Sequence, residues 1–285
     1  RIVNNYNDDH RTLTKKFVEF KKIKVNRLNN FNLLKLYVEV VKGALKHLTY
    51  GEYTSDLFDD YFSKVFHEYL VKVVKNKITT EDLSDFLQPA TVSAGADYHQ
   101  SILELSLTKS YRDKQIEALV EKFSWVKMSW DGSNELTIKD IKKEIRDVKK
   151  KGISNLRQEL NKLKNYKKTV QQKRNKLLGK YGLNKIAFQK YFDLLDEFNI
   201  FHDYRKEIQM RSNQVIYRVL KEIPKRFKLK YKDLMFYSVE EIEGLLSKNK
   251  LVNPHQITKR RRGVAWLIQK GQVKEYLGNE AKRKL

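Results

Sequence analysis

Backbone breakers are scarce in this chain. Three prolines and eleven glycines punctuate 285 residues, and between them apolar residues recur at spacings of three and four, the repeat that lines one face of an α-helix. Proline and glycine are the residues that most readily end a helix, so their rarity predicts long helices with few interruptions. The expected fold class is all-α, a multi-helix bundle with a protruding long helical hairpin. Three stretches are expected: an N-terminal helical body over residues 1–137, a hairpin arm over 138–182 and a C-terminal helical segment over 183–285.

Local patterns place the elements. Phe17, Phe20 and Ile23, then Leu33, Leu34, Tyr37, Val38, Val41, Leu45 and Leu48, fit two helical faces that meet in a common core. Thr54 and Ser55 offer N-caps ahead of Leu57, Phe58, Phe62, Val65, Phe66, Tyr69, Leu70 and Val73, a helix expected to be long and buried on one side. The pattern breaks at LQPATVSAGADYHQS, where Pro89 and Gly95 flank a small-residue loop before a helix from about Asp97. A helix over residues 112–123 follows. Trp125 and Trp130 then bracket the approach to a turn at Asp131 and Gly132, and Thr137 with Asp140 forms a capping box for the next helix.

Between 138 and 180 the apolar stripe thins to Ile141, Ile145, Val148, Ile153, Leu156, Leu160 and Leu163 beneath dense Lys, Glu, Asn and Gln. That is the pattern of a helical hairpin with a narrow seam. Gly152 interrupts it, and the spacing is too irregular for a coiled coil. Residues 183–195 and 198–223 predict two further helices, the second ending ahead of Pro224. Ser238 and Glu241 in YSVEEIEGLL make another capping box, opening a short helix that Gly244 weakens. After Pro254, ITKRRRGVAWLIQKG reads as a basic helix with Val264, Trp266, Leu267 and Ile268 on its apolar side.

Lys and Arg total 59 against 35 Asp and Glu, a formal charge of +24. Such a surface attracts polyanions, whether RNA, DNA, an anionic membrane or a nucleotide. The excess is dispersed among Lys15 and Lys16, Lys142 and Lys143, Lys149 to Lys151, Lys167 and Lys168, and Lys259 to Arg262. A solvated lysine-rich face is the commoner meaning of such runs. The residues that would touch a polyanion are Lys149, Lys150, Lys151, Lys173, Arg174, Lys259, Arg260, Arg261 and Arg262. With no cysteine no disulfide forms, which fits the cytoplasm. RIVNNYNDDHRTLTKK lacks the apolar core of a signal peptide, and no stretch approaches the roughly 20 apolar residues that cross a bilayer. A cytoplasmic protein without a membrane partner is expected.

Catalytic patterns are missing from the sequence. Neither GxxxxGK[ST] nor GxGxxG occurs to cradle phosphates. His10, His47, His67, His99, His202 and His255 are scattered, and His67 with Glu68 lacks the second histidine of a zinc helix. Asp56, Asp59 and Asp60, or Asp193, Asp196 and Glu197, more readily form wet helix faces than magnesium sites. No catalytic residue, metal or cofactor is therefore assigned to the chain. Arg205, Arg211 and Arg218 are spaced by six and seven, with Arg211 and Arg218 near one face. They hold either a phosphate or carboxylate or the intrahelical acids Asp203, Glu207 and Glu222. Trp125, Trp130, Tyr204 and Trp266 are candidates to line a pocket, although core packing is the commoner use of each.

Three segments in order, FHDYRKEIQMRSNQVIYRVLKEI, LMFYSVEEIEGLL and ITKRRRGVAWLIQKGQVKEYLGNEA, resemble the helical part of multidomain phosphotransferases of the phosphoenolpyruvate synthase and rifampicin phosphotransferase type. Asp233 and an aromatic residue ahead of a short acidic helix form the most specific match, and the arginine that recurs in DYRKEI falls on Arg205. The likeness is firm over about residues 183–280 and looser over about 80–182; the first 80 residues share only helical character.

What the resemblance implies is an acceptor-binding or linker domain of an ATP-dependent phosphotransferase. It implies two partner domains outside this chain: an ATP-grasp domain, using ATP and magnesium, and a swivelling domain that carries a phosphohistidine. It also implies an anionic small-molecule acceptor beside the helices, with Trp125, Trp130, Tyr204, Arg205, Arg211 and Arg218 as candidate contacts. A chain that opens on Arg1 and stops where the swivelling domain would begin is expected to be a non-catalytic segment of a longer polypeptide. The competing readings are a basic helical nucleic-acid-binding module and an interaction module built on the 138–180 hairpin.

Overall fold

A computed structural model describes residues 2–56, 61, 63–74 and 78–284, with side chains described for 6–49, 61, 64–74 and 78–284. Leu57, Phe58, Phe62, Asp59 and Asp60 lie outside the described residues. Among those described, the chain is all-α apart from one two-stranded hairpin, the class that the scarcity of breakers predicts. The helices are α1 (Ile2–Lys22), α2 (Asn30–Asp56), α3 (Ser63–Val73), α4 (Thr80–Leu87), α5 (Ala94–Leu107), α6 (Asp113–Phe123), α7 (Ile138–Lys149), α8 (Ile153–Lys180), α9 (Lys185–Phe227), α10 (Tyr231–Leu234), α11 (Val239–Lys248) and α12 (Pro254–Arg262). Strands β1 (Val264–Gln269) and β2 (Gln272–Leu277) follow, and α13 (Asn279–Lys284) ends the chain. Two compact units divide it: residues 1–18 with 43–214, and residues 19–42 with 215–285.

The first unit has several apolar centres. Tyr98, Ile102 and Leu105 of α5 pack with Ile116 and Phe123 of α6 and Ile141 and Ile145 of α7. The thin stripe of residues 138–148 is thus buried against α5 and α6 as well as its own hairpin. Each fully buried isoleucine there stabilises by about 1.5–3 kcal/mol. A neighbouring side of α5 presents Leu103 to Leu156 and Leu160 of α8. Farther along, Leu177 and Leu178 of α8 join Phe66, Leu70 and Phe86 with Phe188 and Phe192 of α9.

Several local expectations need correction. The buried stripe of α2 is Leu33, Leu36, Tyr37, Val40, Ala44 and His47, whereas Leu34, Val38, Val41 and Leu48 are half-buried and Leu45 is exposed. Thr54 and Ser55 fall within the last turn of α2, and their side chains lie outside the described residues. On α3 only Phe66 and Leu70 of the apolar set face a core; Val65, Tyr69 and Val73 are exposed. Helix α5 starts at Ala94, capped by the Ser93 hydroxyl, so Gly95 falls in its first turn. The two helices expected over 183–223 are one continuous α9 that contains Pro224. No breaker separates Leu195 from Phe198, and Pro224, in the last turn, forgoes a single N–H bond to the carbonyl four residues before it.

The largest correction is at the C-terminal end. The basic helix stops at Arg262, and residues 264–277 form an antiparallel hairpin with Val264 opposite Leu277 and Gln269 opposite Gln272. Lys270 and Gly271 both have left-handed φ, 50° and 76°, as a two-residue hairpin turn requires. Gly263, at φ 151°, approaches Gly278 so closely that a Cβ would lie 3.4 Å from its carbonyl oxygen. β-Branched and aromatic residues here favour strand once the turn closes.

Candidate functional site

Two arginines of α9, Arg211 and Arg218, close helix ends. Arg211 is buried; its Nε donates to Glu207 at 2.7 Å, and Nη2 donates to the carbonyls of Lys122 and Glu121 at 2.9 and 3.2 Å. Those are orphan carbonyls at the C-terminus of α6. Arg218 donates to the carbonyls of Lys21 and Ile23, each at 2.5 Å, where α1 ends. The two side chains serve different helices and do not converge on one ligand. Arg205 is half-buried and engaged by an interaction of its own. Asp203, a candidate partner for them, accepts instead from the Ala94 N–H at 2.6 Å, at the N-terminus of α5, where the helix dipole favours an anion. Burial still pushes the Asp203 pKa up.

Tyr204 belongs to a packed aromatic and ionic cluster. Its ring stacks on His10 at 3.7 Å, and His10 Nε2 lies 3.1 Å from Glu207 Oε2. Glu207 therefore joins His10 to Arg211. Burial works to raise the Glu207 pKa, but the hydrogen bond with His10 and the charge of Arg211 outweigh it, and the carboxyl sits below its usual range. Beside them His47 is fully buried and stacked on Tyr6 at 4.3 Å. Burial, helped by the neighbouring His10, pushes its pKa down to about 4, so the ring is neutral at pH 7.

Of the tryptophans, Trp125 is buried with Met128 and Met210, a core position. Trp130 is exposed on a tight turn, its carbonyl accepting from Asn213 Nδ2 at 2.8 Å. Between α8 and α9 lies an open polar cleft of about 320 Å³ that Lys167, Arg174, Lys185, Gln189 and Asp196 help line. Buried Arg174 forms its floor, donating to Asp196 at 3.0 and 3.3 Å and to the Gln88 carbonyl at 2.7 Å, with its guanidinium 4.4 Å from the Phe192 ring. Asp196 also accepts from the Ala90 N–H at 2.7 Å. Among the described residues no group of three or more His, Asp or Glu is placed to hold a metal ion, and no helix is long and apolar enough to cross a membrane.

The candidate polyanion contacts have mixed fates. Lys150 pairs with Asp147 at 2.7 Å and Lys151 with Glu159 at 3.5 Å, while Lys149 lies 5.8 Å from the Tyr111 ring. Lys173 pairs with Asp85 at 2.7 Å. Arg260 is buried and is the hub of its unit: it donates to Glu241 at 2.6 and 3.0 Å, to Glu275 at 3.0 and 3.3 Å, and to the Phe236 carbonyl at 2.7 Å. Arg261 pairs with Asp233. Lys259 and Arg262 are exposed and make no ion pair among the described residues.

Sequence reasoning found the capping box at Ser238 and Glu241, which the structure contains. It missed that Glu241 is also the anchor of Arg260. The only signal was two acids and a basic run about a helix apart. The hairpin carried only a weak signal, Gly271 between two short runs that suit a strand as well as a helix. The cluster of His10, His47 and Glu207 had none, since His10 and Glu207 are 197 residues apart. No protein-family model, no curated protein and no solved structure matches this chain.

Proposed function

We propose that the chain is the helical acceptor-binding or linker domain of an ATP-dependent phosphotransferase of the phosphoenolpyruvate synthase-like type. One observation carries this reading. Phe236, Ser238, Glu241 and Arg260, drawn from two of the segments that resemble that family, meet in a single node, with Asp233 just ahead of the first of them pairing with the adjacent Arg261. The Ser238 hydroxyl and N–H exchange hydrogen bonds with Glu241, Glu241 holds Arg260, Arg260 holds the Phe236 carbonyl, and Asp233 holds the adjacent Arg261. Short matches that lock one another in place support a shared fold better than matches that stand apart. In this reading ATP, magnesium and the phosphohistidine belong to partner domains, and this chain positions rather than reacts. In this reading a small anionic acceptor would be held by Lys167 and Lys185 at the cleft between α8 and α9, where Arg174 is already paired with Asp196.

The reading frame that encodes this segment is the direct test. In-frame codons for an ATP-grasp and a phosphohistidine domain support the reading; a stop codon after Leu285 counts against it. In solution the purified chain with magnesium and ATP consumes no nucleotide, and turnover by the chain alone sinks the proposal.

A further inference from the structure

The two faces of the β1–β2 hairpin differ: one is covered only at its base, where Tyr276 is buried while Leu267 is 48% exposed, and the other carries the more exposed apolar side chains. Side chains alternate along a strand, so Ala265 and Leu267 share a face with Tyr276 and Lys274 opposite. Tyr276 is buried there beneath the lysines Lys274 and Lys284. The other face carries Trp266 and Ile268 with Glu275 and Val273 opposite. Trp266 is 60% exposed, Ile268 73% and Val273 66%. Three large apolar side chains side by side on one face of so short a ribbon mark an interaction surface.

The indole is also held in place. Trp266 Nε1 donates to Glu275 Oε1 at 3.3 Å, and the same oxygen accepts from Arg260 Nε at 3.0 Å. The polar edge of the ring is thereby satisfied while most of the side chain remains exposed, and α12 borders this face through Arg260. The setting is strongly cationic: from Pro254 to Leu285 nine Lys and Arg stand against two Glu, and Glu275 is already taken by Arg260. Lys259, Arg262 and Lys270 are exposed and make no ion pair among the described residues.

We propose that this face binds single-stranded nucleic acid, a base stacking on Trp266 against Ile268 and Val273 while Lys259, Arg262 and Lys270 hold phosphates. An exposed aromatic platform beside unpaired cations is the arrangement that binds unpaired bases, and a duplex, whose bases are stacked within itself, does not offer one. A second copy of this chain is disfavoured because it brings like charge to like charge. A bilayer is disfavoured because the polar tip, Gln269, Lys270, Gly271 and Gln272, would have to enter ahead of the apolar residues. The inference does not rest on the phosphotransferase reading, and either can fail alone.

The test is fluorescence anisotropy of the full chain with labelled oligo-uridine and oligo-thymidine of about 15 nucleotides, over a salt series. Binding is expected to survive about 0.15 M salt, and Trp266→Ala to weaken it about tenfold while leaving the salt slope unchanged. Trp266→Phe, which keeps a stacking surface, restores most of the affinity. Lys259→Gln and Arg262→Gln each reduce the salt slope by about 0.7. The proposal is overturned if Trp266→Ala binds like the unaltered protein, or if a duplex or poly-glutamate competes equally well per charge. It is equally overturned if anionic vesicles bind with the same dependence on Trp266.

Discussion

The Arg260 guanidinium grips the Glu241 carboxylate with two nitrogens, at 2.6 and 3.0 Å, and turns its Nε to Glu275 at 3.0 Å. One buried side chain thereby ties α11, α12 and β2 together. The hydrogen bond to Glu241 raises the Arg260 pKa. For Glu241, burial alone would raise the pKa, but the bonds from Arg260 and from the Ser238 N–H outweigh it and bring it below the usual range.

Arg260→Ala leaves two carboxylates without their cation. Breaking a buried ion pair costs about 3–5 kcal/mol, and urea unfolding is expected to read a loss of at least about 3. Arg260→Lys does not rescue it, because an ammonium cannot reproduce the planar fork. Arg261→Ala, which removes an exposed pair with Asp233, costs under about 1 kcal/mol. Equal losses for Arg260→Ala and Arg261→Ala would refute the hub.

Arg218→Met keeps the aliphatic stem and strips the donors from the carbonyls of Lys21 and Ile23. Leaving such acceptors unpaired costs about 1–3 kcal/mol. A lowered melting temperature is expected, with amides near the end of α1 losing protection in hydrogen exchange. Unchanged protection there would show that water replaces the guanidinium at no cost.

Acid stability should report on His47. Its folded pKa, about 4, lies below the ordinary 6.5, so between these values the unfolded chain binds the additional proton. The stability associated with the neutral ring is complete above about pH 6.5 and is lost as pH falls toward 4. Urea midpoints measured at pH 7 and pH 5 are expected to separate in the native protein and to converge in His47→Phe. A midpoint that falls equally in both proteins would assign the acid sensitivity elsewhere.

Gly132→Ala tests how Trp130 is displayed. A Cβ at Gly132, φ 81°, would lie 2.1 Å from the Asn213 carbonyl oxygen, so turn and helix must separate. The expected cost is about 2 kcal/mol or more, with a shift in tryptophan emission. A variant as stable as the parent would mean that the turn moves freely off α9.

What the amino-acid order settled by itself was local. Sparse breakers predicted a helical chain, and the capping boxes at Thr137 with Asp140 and Ser238 with Glu241 stand where three-residue spacing put them, because a cap is made by neighbours along the chain. Tertiary structure decided the rest. Residues 264–277 carry apolar side chains that satisfy either a helix or a strand over a short run, and only the turn at Lys270 and Gly271 with the cover over Tyr276 selects the hairpin. Arg211, Arg218 and Arg260 were legible as cations on helices, and the i,i+4 spacing did name Glu207 as a partner of Arg211, but the carbonyls of Glu121, Lys122, Lys21 and Ile23 and the carboxylates that hold Arg260 come from other elements. A guanidinium goes to whatever unsatisfied acceptor the packing leaves beside it, and sequence spacing carries no record of that position.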